Sequence, residues 1–202
     1  EACGVIEEVG PEVKLFKVGD RVSHASMPIG AYSEKHIMPE NKLVPVPDGV
    51  SDEVASCVTL KGITAEYLLH RAYPLKKGDK VLYHAAAGAL GQILCPWANS
   101  IGAEIIGTVG SKEKEEIAKK NGCHHVINYT DKDFVEEVEK IVGKNGIDVV
   151  YDGVGLKTFE GSIEVLKIRG MMVAFGNASG YVDTIDVKKH INAKGLFFTR
   201  PS

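Results

Sequence analysis

A run of small residues, HAAAGALG at residues 84–91, could bind a ligand through its backbone. It lies between a segment that predicts a strand and a segment that predicts a helix. Gly88 would let the backbone approach a pyrophosphate, and Gly91 would let the helix pack closely against the strand. Ala86 replaces the first glycine of the usual G-x-G-x-x-G turn, which is acceptable if its φ stays negative. The alternative is an ordinary strand-to-helix turn of small residues, without a ligand.

The segment TVGSKEK at residues 108–114 lies where a dinucleotide site contacts the adenosine ribose. A site for NAD places an acidic residue there, roughly 20 residues after the glycines, to bind the ribose 2′-hydroxyl. Here Gly110, Lys112 and Lys114 are present and no carboxylate precedes Glu113. The pattern therefore favours the 2′-phosphate of NADPH. The alternative is that these lysines lie on a solvated helix face, which would give the same sequence pattern.

The elements that would position these residues alternate from residue 62 onward. The predicted strands are 80–85, 104–109, 124–128, 147–152, 170–176 and 195–200. The predicted helices are 89–101, 111–121, 131–143, 157–167 and a short one at 186–193. Most strands are apolar throughout, which is typical of strands covered on both faces. This alternation predicts an α/β fold with a doubly wound, parallel sheet of the Rossmann type.

Two further features concern the carboxyl edge of that sheet. Gly153-Val154-Gly155 follows the fourth strand without a helix-packing glycine, so we expect a loop near the ligand rather than a second fingerprint. His84 could be a site residue, but packing at the strand end is the favoured interpretation.

The first 61 residues differ from the rest. Runs such as DRVSHAS (20–26), GAYSEKHIMP (30–39) and NKLVPVPDGV (41–50) predict β-rich structure with many turns. Ser51 is expected to be the N-cap of a helix, with acidic residues in its first turn. We therefore divide the chain into a β-rich domain, residues 1–61, and the Rossmann domain, residues 62–202.

Composition limits the classes of function. The 202 residues are 44% hydrophobic and 25% charged, with a net charge of −3, so neither nucleic acid nor a membrane is an expected partner. No zinc spacing is present among the four cysteines, which predicts no metal and mostly buried, reduced thiols in a cytoplasmic protein. The chain begins at Glu1 rather than Met, so we expect a fragment.

Several stretches together resemble the medium-chain dehydrogenase/reductase superfamily, and within it the quinone oxidoreductases related to zeta-crystallin. In that family the turn is A-x-x-G-x-x-G, which here is Ala85, Gly88 and Gly91. The matching stretches are GVIEEVGPEVKLFKVGDRV, GAYSE, LKGITAEYLL, HAAAGALGQ, GTVGS, VINY, VVYDGVG, VAFGNASG and TRPS.

The resemblance implies that residues 1–61 are part of a GroES-like substrate domain that lacks both of its ends. It also implies NADPH-dependent reduction of a quinone, by hydride transfer to a conjugated acceptor. Reduction of an enone or enoyl substrate stays open, as does a cofactor-binding protein with a structural or interaction role. Relatives commonly form homodimers. The late apolar segment GLFFTR (195–200) is the expected sheet edge through which two copies would pair.

Zinc alcohol dehydrogenases of the same superfamily are the alternative to exclude. By resemblance, Lys61 occupies the position of their catalytic cysteine ligand, and an ammonium group cannot replace a thiolate. Cys57 lies one helical turn before that position, so it is not expected to replace the missing ligand. We therefore expect a zinc-independent enzyme.

The resemblance also implies a set of cofactor contacts, whereas it implies no catalytic side chain. Thr64 is expected near the nicotinamide ribose or pyrophosphate. The pyrophosphate turn is expected at Ala87, Gly88, Ala89 and Leu90. The 2′-phosphate pocket is expected at Gly110, Lys114 and Tyr129, and the adenosine side at Gly153 and Val154. The nicotinamide end is expected at Phe175, Gly176, Asn177, Ala178, Phe198, Thr199 and Arg200.

Overall fold

The computed structural model describes residues 1–201 and divides into two compact units, Glu1–Thr64 and a second unit that begins at Ala65. Ser202, the last residue of the TRPS stretch, lies outside the described residues. Among the described residues, no helix has both the length and the apolar character that crossing a membrane requires.

The first unit contains a small antiparallel sheet of strands β1 (Ala2–Val5), β2 (Arg21–His24) and β3 (Val44–Pro45), with β2 in the middle. Helix α1 (Asp52–Tyr67) follows. The Ser51 hydroxyl accepts a hydrogen bond from the Val54 amide at 3.3 Å, so Ser51 caps this helix as predicted.

Segment 30–39 does not form the strand-like structure that the sequence predicted; it consists of turns and bends. The Ser33 hydroxyl donates to the carbonyls of Gly30 and Lys35, which closes a tight loop. Gly30 also packs against His36 so closely that an added Cβ would lie 2.6 Å from the imidazole ring. These local contacts replace the ladder of a strand.

The second unit is built on a six-stranded, wholly parallel sheet with the order β6-β5-β4-β7-β8-β9. The strands are β4 Lys80–His84, β5 Glu104–Val109, β6 His125–Asn128, β7 Ile147–Asp152, β8 Leu166–Ala174 and β9 Phe197–Thr199. The helices are α2 Gly91–Ile101, α3 Lys112–Lys120, α4 Phe134–Val142 and α5 Phe159–Val165, with a π-helical segment at Val187–Asn192 and another at Leu68–Ala72.

Alternating strand residues pack in two separate hydrophobic clusters. Val81 and Tyr83 pack in one cluster with residues of α2 and α3, whereas Leu82 packs in the other with residues of α4 and α5. Helices therefore cover both faces of the sheet, and the predicted doubly wound α/β fold is confirmed. The strand order reverses between β4 and β7, which makes their carboxyl ends the switch point of the sheet.

Two details differ from the prediction. Strand β8 begins at Leu166 rather than near residue 170, because Arg169 adopts a left-handed φ of 61° and a bulge lets Leu166 pair with Ile147. Only two of the four cysteines are buried, Cys95 and Cys123; Cys57 is exposed and Cys3 is partly exposed, although all four thiols are free.

Candidate functional site

The turn between β4 and α2 forms the centre of the candidate site. The Ala86 amide donates to the carbonyl of Thr108 on β5 at 3.0 Å, and the Gly88 amide donates to the Ala85 carbonyl at 2.9 Å. Ala85 adopts a φ of 61°, while Ala86 is not among the left-handed residues. The requirement that Ala86 keeps a negative φ is therefore met. The strained residue is Ala85, directly before it.

The two glycines of this turn have different surroundings. A Cβ on Gly91 would lie 2.7 Å from the carbonyl carbon of Ala86, so α2 can approach the turn only with glycine there. A Cβ on Gly88 would meet a single atom, the Ala85 carbonyl oxygen at 3.1 Å, and would otherwise project into open space. Since the N-cap residue of α2 is Leu90, no N-cap side chain competes for the helix amides. Backbone amides and an open Gly88 fit the pyrophosphate of a dinucleotide.

The ends of β5 and β6 bring two of the predicted 2′-phosphate residues together. The Tyr129 amide donates to the Val109 carbonyl at 3.1 Å, and a Cβ on Gly110 would lie 2.5 Å from the Tyr129 hydroxyl. Lys114 is exposed on α3 and forms no salt bridge within residues 1–201. A hydroxyl, a glycine backbone and a cation are suited to a phosphate monoester.

The loop after β7 is shaped by one buried carboxylate. Asp152 is fully buried, and its Oδ1 accepts hydrogen bonds from the amides of Val154 at 2.7 Å and Gly155 at 2.9 Å. Its Oδ2 accepts a third from the Thr158 hydroxyl at 2.8 Å. Sequence reasoning missed Asp152, although a carboxylate directly before G-x-G is a signal that could have indicated a loop-forming acceptor.

The loop after β8 packs directly on this first loop. Gly176 has no room for a Cβ, which would lie 2.8 Å from the Gly153 Cα, and the Ala178 amide donates to the Gly153 carbonyl at 3.2 Å. The Phe175 ring stacks on Tyr83 with 6.4 Å between centroids, and burial raises the pKa of the Tyr83 phenol.

Arg200 and its neighbours lie beside the same loop. The Arg200 guanidinium donates to the Ala174 carbonyl at 3.1 Å and the Gly176 carbonyl at 3.3 Å, and it contacts the Asn177 side chain at 3.5 Å. Phe198 and Thr199 are on β9, where Phe198 packs against Phe159. The residues predicted for the nicotinamide end are thus gathered at one edge of the sheet.

Thr64 is the one predicted contact in the first unit. Its hydroxyl donates to the Leu60 carbonyl at 2.7 Å within α1. Its place near a cofactor stays a prediction.

Comparison with known proteins agrees with this architecture. The family model described as zinc-binding dehydrogenase matches residues 89–201, and the one described as alcohol dehydrogenase GroES-like domain matches residues 1–48. The chain belongs to the zinc-binding dehydrogenase family. Its predicted membership of the medium-chain dehydrogenase/reductase superfamily, with the quinone oxidoreductases, is confirmed.

Two curated relatives of this family member match along its whole length. The 2-haloacrylate reductase of a Burkholderia species is 49% identical, and quinone oxidoreductase 1 of Escherichia coli K12 is 45% identical. The chain covers 62% of each relative. A crystal structure of Escherichia coli quinone oxidoreductase complexed with NADPH superimposes with a TM-score of 0.94 at 44% identity, covering 99% of this chain and 61% of that one.

The family description names zinc, and the described residues do not fit that ion. Within residues 1–201, no three His, Cys, Asp or Glu side chains come together as metal ligands. The Lys61 ammonium forms an ion pair with the Glu1 carboxylate, and Cys57 is exposed beside Ser56.

Proposed function

We propose that this family member is an NADPH-dependent reductase that transfers hydride to a quinone or a similar conjugated acceptor. The observation that supports the proposal most strongly is the turn 85–91 at the switch point, with an open Gly88 and a tightly packed Gly91. The domain assignment belongs to the proposal: residues 1–61 as part of a GroES-like substrate domain and residues 62–202 as the cofactor domain.

The proposed cofactor is NADPH rather than NADH. Gly110 and the Tyr129 hydroxyl are in contact, Lys114 has no salt-bridge partner among the described residues, and no carboxylate stands between Val109 and Lys112. A 2′-phosphate would gain charge-assisted hydrogen bonds here, whereas a ribose diol would lack its usual carboxylate acceptor.

When bound, NADPH supplies a hydride from its nicotinamide ring. The protein's part is to hold the two ends of the cofactor and to exclude water. The amides at the turn bind the pyrophosphate. The loops at Gly153 and Gly176 pack tightly, because the Gly153 backbone leaves no room for a Cβ on Gly176 and the Phe175 ring leaves none for a Cβ on Gly153. Arg200 fixes the end of β8 and the loop after it through the carbonyls of Ala174 and Gly176, and so orients the nicotinamide end.

A second acceptor class has its own support. The relative at 49% identity is named a 2-haloacrylate reductase, and acrylates, like quinones, accept hydride at a carbon conjugated to a carbonyl. An α,β-unsaturated carboxylate or enone is therefore the alternative substrate.

An assay of NADPH oxidation by the complete gene product tests the activity. We expect 1,4-benzoquinone or 2-chloroacrylate to accelerate the oxidation of NADPH, and the faster acceptor identifies the substrate class. Tight NADPH binding without acceleration by either acceptor would overturn the reductase proposal.

The proposed assembly is a homodimer through β9, which lies at the sheet edge with Phe197 about half exposed. Unpaired apolar edges are prone to pair with another chain. A cytoplasmic location, expected from the unpaired cysteines, stays a prediction.

A further inference from the structure

A buried polar network lies directly beneath the turn 85–91 and the loop 153–155. It consists of five side chains, each less than a tenth exposed: Thr108, His84, Ser162, Thr158 and Asp152. His84 is the central member, since its Nδ1 lies 2.9 Å from the Thr108 hydroxyl and its Nε2 lies 2.9 Å from the Ser162 hydroxyl. Phe134 covers the ring edge-on, with 5.1 Å between the centroids.

The direction of each hydrogen bond follows from the acceptor at the far end. The Ser162 hydroxyl lies 2.8 Å from the Thr158 carbonyl, which can only accept, so the single proton of Ser162 is donated there. Ser162 can then only accept from His84, and the proton of the imidazole must be on Nε2. Nδ1 is left as an acceptor for the Thr108 hydroxyl.

The environment of the ring agrees with this neutral form. Burial lowers the pKa of His84, although the nearby Asp152 carboxylate opposes that shift. A protonated ring would present N–H groups to both hydroxyls, and Ser162 and Thr108 would have to accept from it together. The hydroxyl of Thr108 would then lose its acceptor on His84.

The network connects the segments that frame the proposed cofactor site. His84 directly precedes the turn, and Thr108 binds that turn through its carbonyl, which accepts from the Ala86 amide. At the other end, the Thr158 hydroxyl donates to Asp152, whose second oxygen holds the amides of Val154 and Gly155. A shift of His84 would therefore be transmitted to both segments.

We propose that His84, held as the neutral Nε2–H tautomer, is a positioning residue that fixes the turn 85–91 and the loop 153–155 relative to each other for the dinucleotide. The cofactor part of this inference rests on the proposed function, while the tautomer and the loop coupling do not. The decisive link is Nε2 to Ser162, because it leads through α5 to the Asp152 loop.

Two substitutions of similar size separate the two links. His84→Gln keeps a donor near the position of Nε2, and His84→Asn keeps an acceptor near the position of Nδ1. In amide NMR spectra of the 202-residue chain, we expect the Val154 and Gly155 signals to move in His84→Asn and to stay close to wild type in His84→Gln. Equal shifts in both variants, or none, would overturn the coupling.

The nitrogen spectrum of the wild-type imidazole tests the tautomer directly. We expect the shift of a protonated Nε2 and an unprotonated Nδ1 at neutral pH. A proton on Nδ1 would overturn the assignment, whatever the cofactor.

Fluorescence titration with NADPH tests the functional consequence. We expect His84→Asn to weaken binding about tenfold, the factor for one lost hydrogen bond, and His84→Gln to stay within about threefold of wild type. Wild-type affinity in His84→Asn would overturn the positioning role. If the wild-type chain itself bound no NADPH, the proposed cofactor would be contradicted for this chain, and the dinucleotide part of the inference with it; the two NMR results would decide the rest.

Discussion

The turn 85–91 and the loop 153–155 follow neighbouring parallel strands on either side of the switch point, yet they are held by different forces. The turn is fixed by close backbone packing, with Gly91 against Ala86 and the Ala86 amide on the Thr108 carbonyl. The loop is fixed by one buried carboxylate that accepts three hydrogen bonds. Substitutions that add volume should therefore disrupt the first, and substitutions that remove an acceptor should disrupt the second.

The largest effect is expected from Asp152→Ala. It leaves two amides and a hydroxyl without their acceptor, and we expect the free energy of unfolding to fall by about 3 to 5 kcal/mol. Asp152→Asn is the matched control, because one oxygen still serves the amides and the Thr158 hydroxyl can donate to the Gly155 carbonyl at 3.1 Å. Urea denaturation measures both, and equal losses would contradict the role assigned to the acceptor oxygen that Asn keeps.

Gly91→Ala tests the packing of the turn. Its Cβ would lie 2.7 Å from the Ala86 carbonyl carbon, and we expect a loss of about 2 to 3 kcal/mol. Gly62→Ala, in helix α1, is the control, since a Cβ there meets nothing within 4 Å and should stabilise the helix by up to about 1 kcal/mol. Comparable melting temperatures for the two variants would show that the turn is not tightly packed.

The adjacent alanines of the turn should respond in opposite directions to glycine. Ala85→Gly relieves a left-handed φ of 61° and should stabilise the protein by about 0.5 to 1 kcal/mol. Ala86→Gly removes a fully buried methyl group at a position without that strain and should destabilise it by about 1 to 2 kcal/mol. Thermal unfolding measures the pair; the same sign for both would contradict the assignment of strain to Ala85.

The most gradual effect is expected from pH. Because the pKa of His84 is lowered in the fold, the unfolded chain binds its proton first as the pH falls below about 6.5. Stability should therefore be complete above that pH and decline below it, with a slope of at most about 1.4 kcal/mol per pH unit from this group. His84→Gln should remove that part of the slope and leave the part from His24, whose pKa burial also lowers. An unchanged slope would mean that His84 is not kept neutral.

Sequence patterns predicted the second unit more completely than the first, where segment 30–39 differs from the prediction. Strands β4 and β5 are apolar runs bounded by turns that contain glycine, so the sequence pattern alone indicates them. Segment 30–39 contains β-forming residues such as Tyr32 and Ile37, but the hydrogen bonds of Ser33 and the packing of Gly30 on His36 determine its path. Such contacts, of a side chain with backbone carbonyls and of a glycine with an imidazole ring, are not visible in a pattern.

The candidate site divides in the same way. The glycines of the turn follow a known spacing, so Gly88 and Gly91 could be predicted from the sequence. Ser162 could not, because its role depends on a contact between residues far apart in the chain: Ser162 lies 78 positions from His84. The contact of Gly110 with Tyr129 was expected only through family resemblance.

Parallel calorimetric titrations of NADPH and NADH test the central claim, that Gly110, Tyr129 and Lys114 form a 2′-phosphate pocket. We predict that the chain prefers NADPH and that Lys114→Glu weakens NADPH by about 1 to 3 kcal/mol while NADH changes little. Lys120→Glu, the same charge change at the far end of α3, should leave both affinities unchanged. Equal affinities for the two cofactors, or an equal loss of both in Lys114→Glu, would contradict the account.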